Sequence, residues 1–278
     1  MKNAPHLPMA LIVFAIACNT PNTNSDQKDS SQKVTGQVEE IAGGNFVKAE
    51  APDAVAKSEQ GYALPYSNEK LVQSPINILS DSTLKDGHQV VSIEFKTVIS
   101  AVENLGHTIQ LDFAKGSTVL AYGRIYSSRQ FHFHTPSEHL IDGMTFPMEM
   151  HIVNVLKDSN EKNNPQYLVV GLLFKMGREN KFINEFLQNL PKEENKDSLQ
   201  PGTADFDDFF RSISKNGSGG YYSYKGSLTT TPYSETVNWM VKKSVLEASP
   251  EQIIAIEKLE GNNARHVQAL YARKVLNQ

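Results

Sequence analysis

A single, mostly β domain is what this sequence predicts, on three observations. Short runs that alternate apolar with polar residues, or are rich in β-branched ones, recur between about residues 61 and 174. The strings "KDG", "AKG" and "IDG" separate them, as hairpins and short connections favour. Helical periodicity is scarce by comparison. With 278 residues, of which 39% are hydrophobic and 21% charged, the chain is long enough to bury a sizeable core as one domain.

In chain order the strand candidates are "VVSIEF" (90–95), "HTIQLDF" (107–113), "STVLAYG" (117–123), "RQFHFHT" (129–135), "MEMHIVNVL" (148–156) and "YLVVGLLF" (167–174). Two helices are expected, over "ENKFINEFLQNL" (179–190) and "SPEQIIAIEKL" (249–259). In the second, Ser249 caps the helix and Pro250 opens it. Between them "KNGSGGYYSYKGSLTTTPYSE" (215–235), rich in Gly, Ser and Tyr, reads as loop feeding functional residues. No repeat of fixed period and no long heptad pattern is present.

A formal charge of −4 and a pI near 6.1, with no basic stripe, argue against nucleic acid as a partner. Beyond the N-terminus no apolar run approaches the ~18 residues a membrane span needs. Residues 1–18 read as an export signal: Lys2 gives the positive start, "MALIVFAIA" (9–17) the apolar stretch, and "AIA" a cleavage site. Cys18, the only cysteine, follows directly, and "AIAC" resembles a bacterial lipobox with Ala15 in the place commonly taken by leucine. Lipidation there would anchor a soluble domain at a membrane, periplasmic or elsewhere in the cell envelope. A lone cysteine excludes an internal disulfide, so stability must come from the core and a metal. Residues 19–60 are mostly Asn, Thr, Ser, Asp, Gln, Lys and Glu, too polar to offset their ordering entropy, and read as a tether. The folded domain is expected over 61–278.

Three of the eight histidines fall in "QFHFHTPSEH" (130–139). On a strand, side chains alternate, so Gln130, His132 and His134 share one face while Phe131 and Phe133 point to the other. "MEMHIVNV" places Glu149, His151, Val153 and Val155 on one face of a second strand. Antiparallel pairing of the two lets His151 complete a three-histidine site. Three neutral imidazoles suit zinc, and a three-ligand site keeps one position open to water, the mark of catalytic rather than structural zinc. Gln130 and Glu149, each two residues from a ligand and on its face, are the expected acceptors for the second ring N–H. The plainer alternative is a set of buried strand histidines satisfied by ordinary hydrogen bonds.

These residues resemble the α-class carbonic anhydrases. The similarity runs through "QSPINI" (73–78), "GHTIQLDF" (106–113), "QFHFHTPSEHLIDG" (130–143), "MEMHIVNV" (148–155), "YLVVGLLFK" (167–175), "YKGSLTTTP" (224–232), "VNWMV" (237–241) and "ARHVQALYARKV" (264–275), roughly 200 residues in family order. It implies a central, largely antiparallel twisted β-sheet with short peripheral helices. It also implies hydration of carbon dioxide to bicarbonate by zinc-bound hydroxide. On the matching positions His132, His134 and His151 are the zinc ligands and Gln130 and Glu149 their acceptors. Thr229 donates to Glu138 and aims the hydroxide, and Thr230 follows in the substrate loop. Val153, Val169, Leu228 and Val237 form the apolar wall for carbon dioxide, with Gln110 among the polar residues of the cleft. His107 is the proton shuttle, and His139 is structural.

The chain departs from the family pattern in four places. The N-terminal aromatic signature is absent, leaving Tyr62 or Tyr66 as substitutes for its tyrosine. Leu105 replaces an asparagine of the cleft, Thr231 replaces a proline, and a cysteine pair found in many bacterial members is missing. Two other classes compete. In a cupin-type oxygenase Glu138 would join "HFH" around iron or manganese, but such a protein should show a Pro-x-Gly turn before its last histidine, and "FPMEMHIVNV" has none. A silent binding protein on the same fold should have lost a zinc histidine, and all three are present.

Overall fold

The computed structural model describes residues 71–85, 93–159, 164–199, 202–215 and 220–278. The export signal, Cys18, the tether, Tyr62 and Tyr66 lie outside them. Fifteen strands follow in chain order: β1 (Asn77–Ile78), β2 (Leu84–Lys85), β3 (Glu94–Lys96), β4 (Ile99–Asn104), β5 (Ile109–Phe113), β6 (Thr118–Ala121), β7 (Arg124–His134), β8 (Leu140–Ile141), β9 (Met148–Leu156), β10 (Tyr167–Met176), β11 (Asn195–Ser198), β12 (Tyr221–Gly226), β13 (Val237–Lys242), β14 (Leu246–Ala248) and β15 (Leu276–Asn277). Among the described residues three α-helices accompany them: α1 (Lys181–Leu187), α2 (Phe206–Lys215) and α3 (Pro250–Glu260). Among the described residues no helix is long and apolar enough to cross a membrane.

One large sheet runs β11-β4-β5-β7-β9-β10-β13-β12-β15-β2, with β6 beside β7, β3 beside β6 and β14 beside β10. Its centre, β5 to β10, is antiparallel as expected, but β13 and β14 both pair parallel with β10, so the sheet is mixed. The alternation read in "RQFHFH" holds. Phe131 and Phe133 are fully buried on the helix side, where Phe131 packs on Phe113, Phe182, Phe186 and Phe206. Each such side chain contributes roughly 1.5–3 kcal/mol by leaving water. That aromatic layer fixes which way the opposite, histidine-bearing face must point.

Several boundaries differ from the sequence expectation for local reasons. His107 is not in a strand: Gly106 adopts φ +76°, which turns the chain, and β5 starts only at Ile109. Tyr122 and Gly123, at φ 53° and 68°, end β6 early and send the chain back into β7, which therefore begins at Arg124. The segment read as loop over 215–235 contains β12, whose Tyr221, Tyr222 and Tyr224 are buried. Helix α2 was not foreseen, although Phe206, Phe209, Phe210 and Ile213 have the i, i+3, i+4, i+7 spacing. Its start is capped by Asp205, which accepts from Asp208 N at 2.8 Å. Helix α3 begins as expected, with Ser249 and Gln252 forming a capping box and Pro250 at its start.

Candidate metal centre

Strands β7 and β9 pair antiparallel with His132 opposite His151 and His134 opposite Glu149. The register makes the cluster: ring centroids are 5.0 Å apart for His132 and His134, 5.4 Å for His132 and His151, and 4.6 Å for His134 and His151. One nitrogen from each ring falls within 4.8 Å of the others. A bulge between Ser128 and Gln130 restores the register ahead of the site, and Gln130 faces Val153 across the pair.

The second nitrogens are oriented as expected. Gln130 Oε1 accepts from His132 Nδ1 at 2.9 Å, and Glu149 Oε1 accepts from His151 Nε2 at 2.9 Å, leaving His132 Nε2 and His151 Nδ1 for a metal. Neither nitrogen of His134, 4% exposed, makes a hydrogen bond of good geometry, although the Asn263 backbone lies near enough to act on the ring. At least one buried nitrogen is thus left without a partner, which is costly for a merely structural histidine and fits a cation that takes it up. Burial, and then the neighbouring rings, hold His132 well below the usual imidazole range; burial also lowers His134. Neutral rings with free lone pairs are what a metal ligand requires.

Glu149 is fully buried and ionised. Burial pushes its carboxyl up, but the charges and hydrogen bonds of His139 and His151 prevail and hold it well below the carboxylate range. The same attraction outweighs burial at His151 and raises it. Glu149 Oε2 accepts from the backbone N–H of Glu138 and His139 at 2.9 and 2.8 Å, and Oε1 from His139 Nδ1 at 2.7 Å. His139 Nε2 in turn lies 2.7 Å from Tyr224 Oη, itself 2.9 Å from Ser74 Oγ. The grouping of His139, Glu149 and His151 is therefore a hydrogen-bonded support, with both His139 nitrogens engaged by Glu149 and Tyr224.

Glu138 is buried beside the trio, with Oε1 3.7 Å from His134 Nδ1 and Oε2 3.8 Å from His151 Nδ1. Oε1 accepts from Arg265 N at 2.9 Å, while Oε2 has no hydrogen-bond partner. The expected bond from Thr229 is thus not made here; Thr229 lies half-buried in a loop whose shape is set by Leu228 N donating to Ser234 O and Tyr233 N to Thr230 O. Thr230 is exposed. Val169 and Val237, both 2% exposed, join Val153 and Leu228 in one apolar cluster with Trp239. The Trp239 ring packs 4.8 Å from that of His151, tying the cluster to the site. Gln110 pairs with His132 across β5 and β7, its amide donating to Asp112 Oδ1 at 2.7 Å. His107 is exposed, and its Nδ1 donates to Leu105 O at 2.8 Å, leaving Nε2 open to solvent. It is near enough to His132 to affect that ring's charge.

Sequence reasoning missed Asn263 and Arg265. Asn263 Nδ2 donates to His107 O and Phe133 O at 2.9 and 3.2 Å, fastening the His107 turn to the end of β7. Arg265 donates to Glu138 Oε1 from its backbone, and its guanidinium reaches Ser74 O at 2.6 Å and Gln73 Oε1 at 3.1 Å. The runs containing Arg265 and Gln73 were visible in the sequence, but what they touch lies more than a hundred residues away.

A twisted sheet carrying three clustered histidines, two oriented by an amide and a carboxylate, is a candidate metal site with an apolar cluster beside it. Comparison with known proteins makes the class specific. Residues 60–278 match the family model described as eukaryotic-type carbonic anhydrase, and the chain belongs to that family. It is 36% identical over 207 residues to a carbonic anhydrase of Neisseria gonorrhoeae, covering 73% of this chain and 76% of that one. Among solved structures, an α-carbonic anhydrase of Thermovibrio ammonificans in complex with the inhibitor sulfanilamide is 34% identical with TM-score 0.62, covering 74% of this chain and 87% of its own. A hyperthermostable carbonic anhydrase from a hydrothermal vent chimney is 33% identical with TM-score 0.65, covering 75% and 88%. The chain is a carbonic anhydrase by family, which implies carbon dioxide and bicarbonate as its small-molecule substrates and zinc as its metal.

Proposed function

We propose that His132, His134 and His151 hold zinc and that the site hydrates carbon dioxide reversibly, with His107 carrying the proton out. The observation that carries this reading is the donor set: three ring nitrogens within 4.8 Å, on rings turned by Gln130 and Glu149. Zinc supplies Lewis acidity that makes water a nucleophile at neutral pH. The chain's own residues do the remainder. Carbon dioxide is apolar and uncharged, so Val153, Val169, Leu228 and Val237 offer it a surface that needs no polar partner. Thr229 would have to turn onto Glu138 Oε2, which has no partner in this structure, to keep its own oxygen free to accept the attacking group's proton and aim its lone pair. Gln110 and Thr230 give the product polar neighbours. His107 receives the released proton on Nε2 through water and passes it to buffer.

Stopped-flow carbon dioxide hydration on the zinc-loaded protein tests this. Fast turnover that a chelator abolishes and zinc restores is expected; zinc-loaded protein at the uncatalysed rate would refute it. We also propose, from Lys2, the apolar stretch and Cys18, that the protein is an exported bacterial lipoprotein of the cell envelope. The native protein should fractionate with membranes and carry lipid on Cys18 by mass spectrometry; release of unlipidated protein lacking Cys18 would contradict it.

A further inference from the structure

Three glutamates are buried among the described residues, and the mechanism above uses only Glu138 and Glu149. Glu260, the last residue of α3, is 5% exposed. Its Oε2 accepts from Ile109 N at 3.3 Å, and its Oε1 lies 3.0 Å from Thr135 Oγ1. The same Thr135 Oγ1 lies 2.9 Å from Gly261 O. A threonine hydroxyl has one proton, so it cannot make a full bond to both acceptors. With Thr135 as donor to both, its proton is shared in a weaker three-centre bond; both contacts become full two-centre bonds when Glu260 donates to Thr135 and Thr135 donates onward to Gly261. The position agrees: carbonyls at a helix C-terminus lack partners within the helix, and the negative end of the helix dipole disfavours a carboxylate.

We infer that Glu260 is a neutral carboxylic acid in the resting protein and acts as a positioning residue between the two halves of the cleft. Ile109 is two residues past His107, and Thr135 follows His134, so this one side chain ties the turn bearing the proton shuttle to the strand bearing the metal ligands. Its role in proton transfer rests on the reading of His107 given above; its protonation state does not. Burial pushes its carboxyl up to about 7, against the pull of the bonds from Thr135 and Ile109. Helix α3 packs on α1, β5 and β7. Their ionisable groups are Lys181 and Glu185, Asp112, and Arg124, Tyr126, Arg129, His132 and His134; α3 itself carries Glu251, Glu257 and Lys258. None of these, nor His107, is among the influences on Glu260. As pH rises through about 7 the acid ionises, Thr135 turns its proton to Oε1, and the Gly261 carbonyl loses its donor.

The sign of the effect on stability follows. A carboxyl raised in the folded state contributes most below its unfolded value, near 4.5, and loses that contribution as pH climbs to about 7. Glu260→Gln is the neutral isostere: its amide N–H donates to Thr135 and its oxygen accepts from Ile109, with no proton to lose. The melting temperature of zinc-loaded Glu260→Gln should therefore gain on the parent by about 5–10 °C between pH 4.5 and 8. A gap that stays constant over this range overturns the inference. Should the variant not fold, infrared spectra of the unaltered holoenzyme decide: a buried protonated carboxylic acid present at pH 6 and gone by pH 8 supports it, and no such band at pH 6 overturns it. Neither readout depends on turnover, so failure here leaves the zinc reading intact.

Discussion

His132, His134 and His151 sit on paired strands, whereas His107, Thr229 and Thr230 sit on turns, and different forces hold the two groups in place. The strand histidines are set by register: a slip of one residue would swap them for Phe131, Phe133 and Ile152, and the aromatic core behind the sheet forbids it. The turn residues have no register. His107 depends on Gly106 for its backbone and on Asn263 for its attachment, while its ring stays exposed. Ligands that must converge on one ion need the first kind of support. A residue that passes protons between water and buffer works on the second, because it must face both.

That contrast can be broken by substitution, and the largest effect belongs to the strands. His134→Ala removes a ligand from a preset trio; zinc content should collapse and carbon dioxide hydration fall to background, measured by metal analysis and stopped flow. His107→Ala comes next and should behave differently. The turnover number at low buffer falls by up to about 10²-fold, the lower end of general acid–base effects, while kcat/KM for carbon dioxide is retained and added imidazole restores the rate. An equal fall in both parameters would place His107 within the zinc site's chemistry instead. Smaller still, Glu149→Gln keeps the side chain's size but replaces one of two accepting oxygens by an N–H donor and removes the charge that holds the His151 proton, so zinc affinity should drop about 10- to 100-fold in a chelator competition.

The same division explains what the sequence made legible. Alternation in "QFHFH" and "MEMHIV" predicted faces, and a two-residue period leaves little freedom once one face is aromatic. The two acceptors were legible for the same reason, lying one alternation from their ligands. What escaped was long-range or irregular. Asn263, Arg265 and Glu260 act across more than a hundred residues of sequence, on partners no local pattern names. Strand β12 was hidden because Gly and Ser around its tyrosines read as loop, yet pairing with β13 over six residues supplies what local propensity lacks. Helix α2 carried a legible apolar spacing that its acidic start, Asp205, Asp207 and Asp208, obscured. Thr229 was identified by resemblance alone, and its bond to Glu138 is not made in the structure.

The central claim is that β7 and β9 together present three imidazoles and no fourth protein ligand. X-ray absorption spectroscopy at the zinc edge of the metal-loaded protein tests it most directly. Three histidine nitrogens and one oxygen from solvent is the predicted result. A carboxylate from Glu138 or Glu149 in the coordination sphere, or a closed four-ligand protein site, would contradict it.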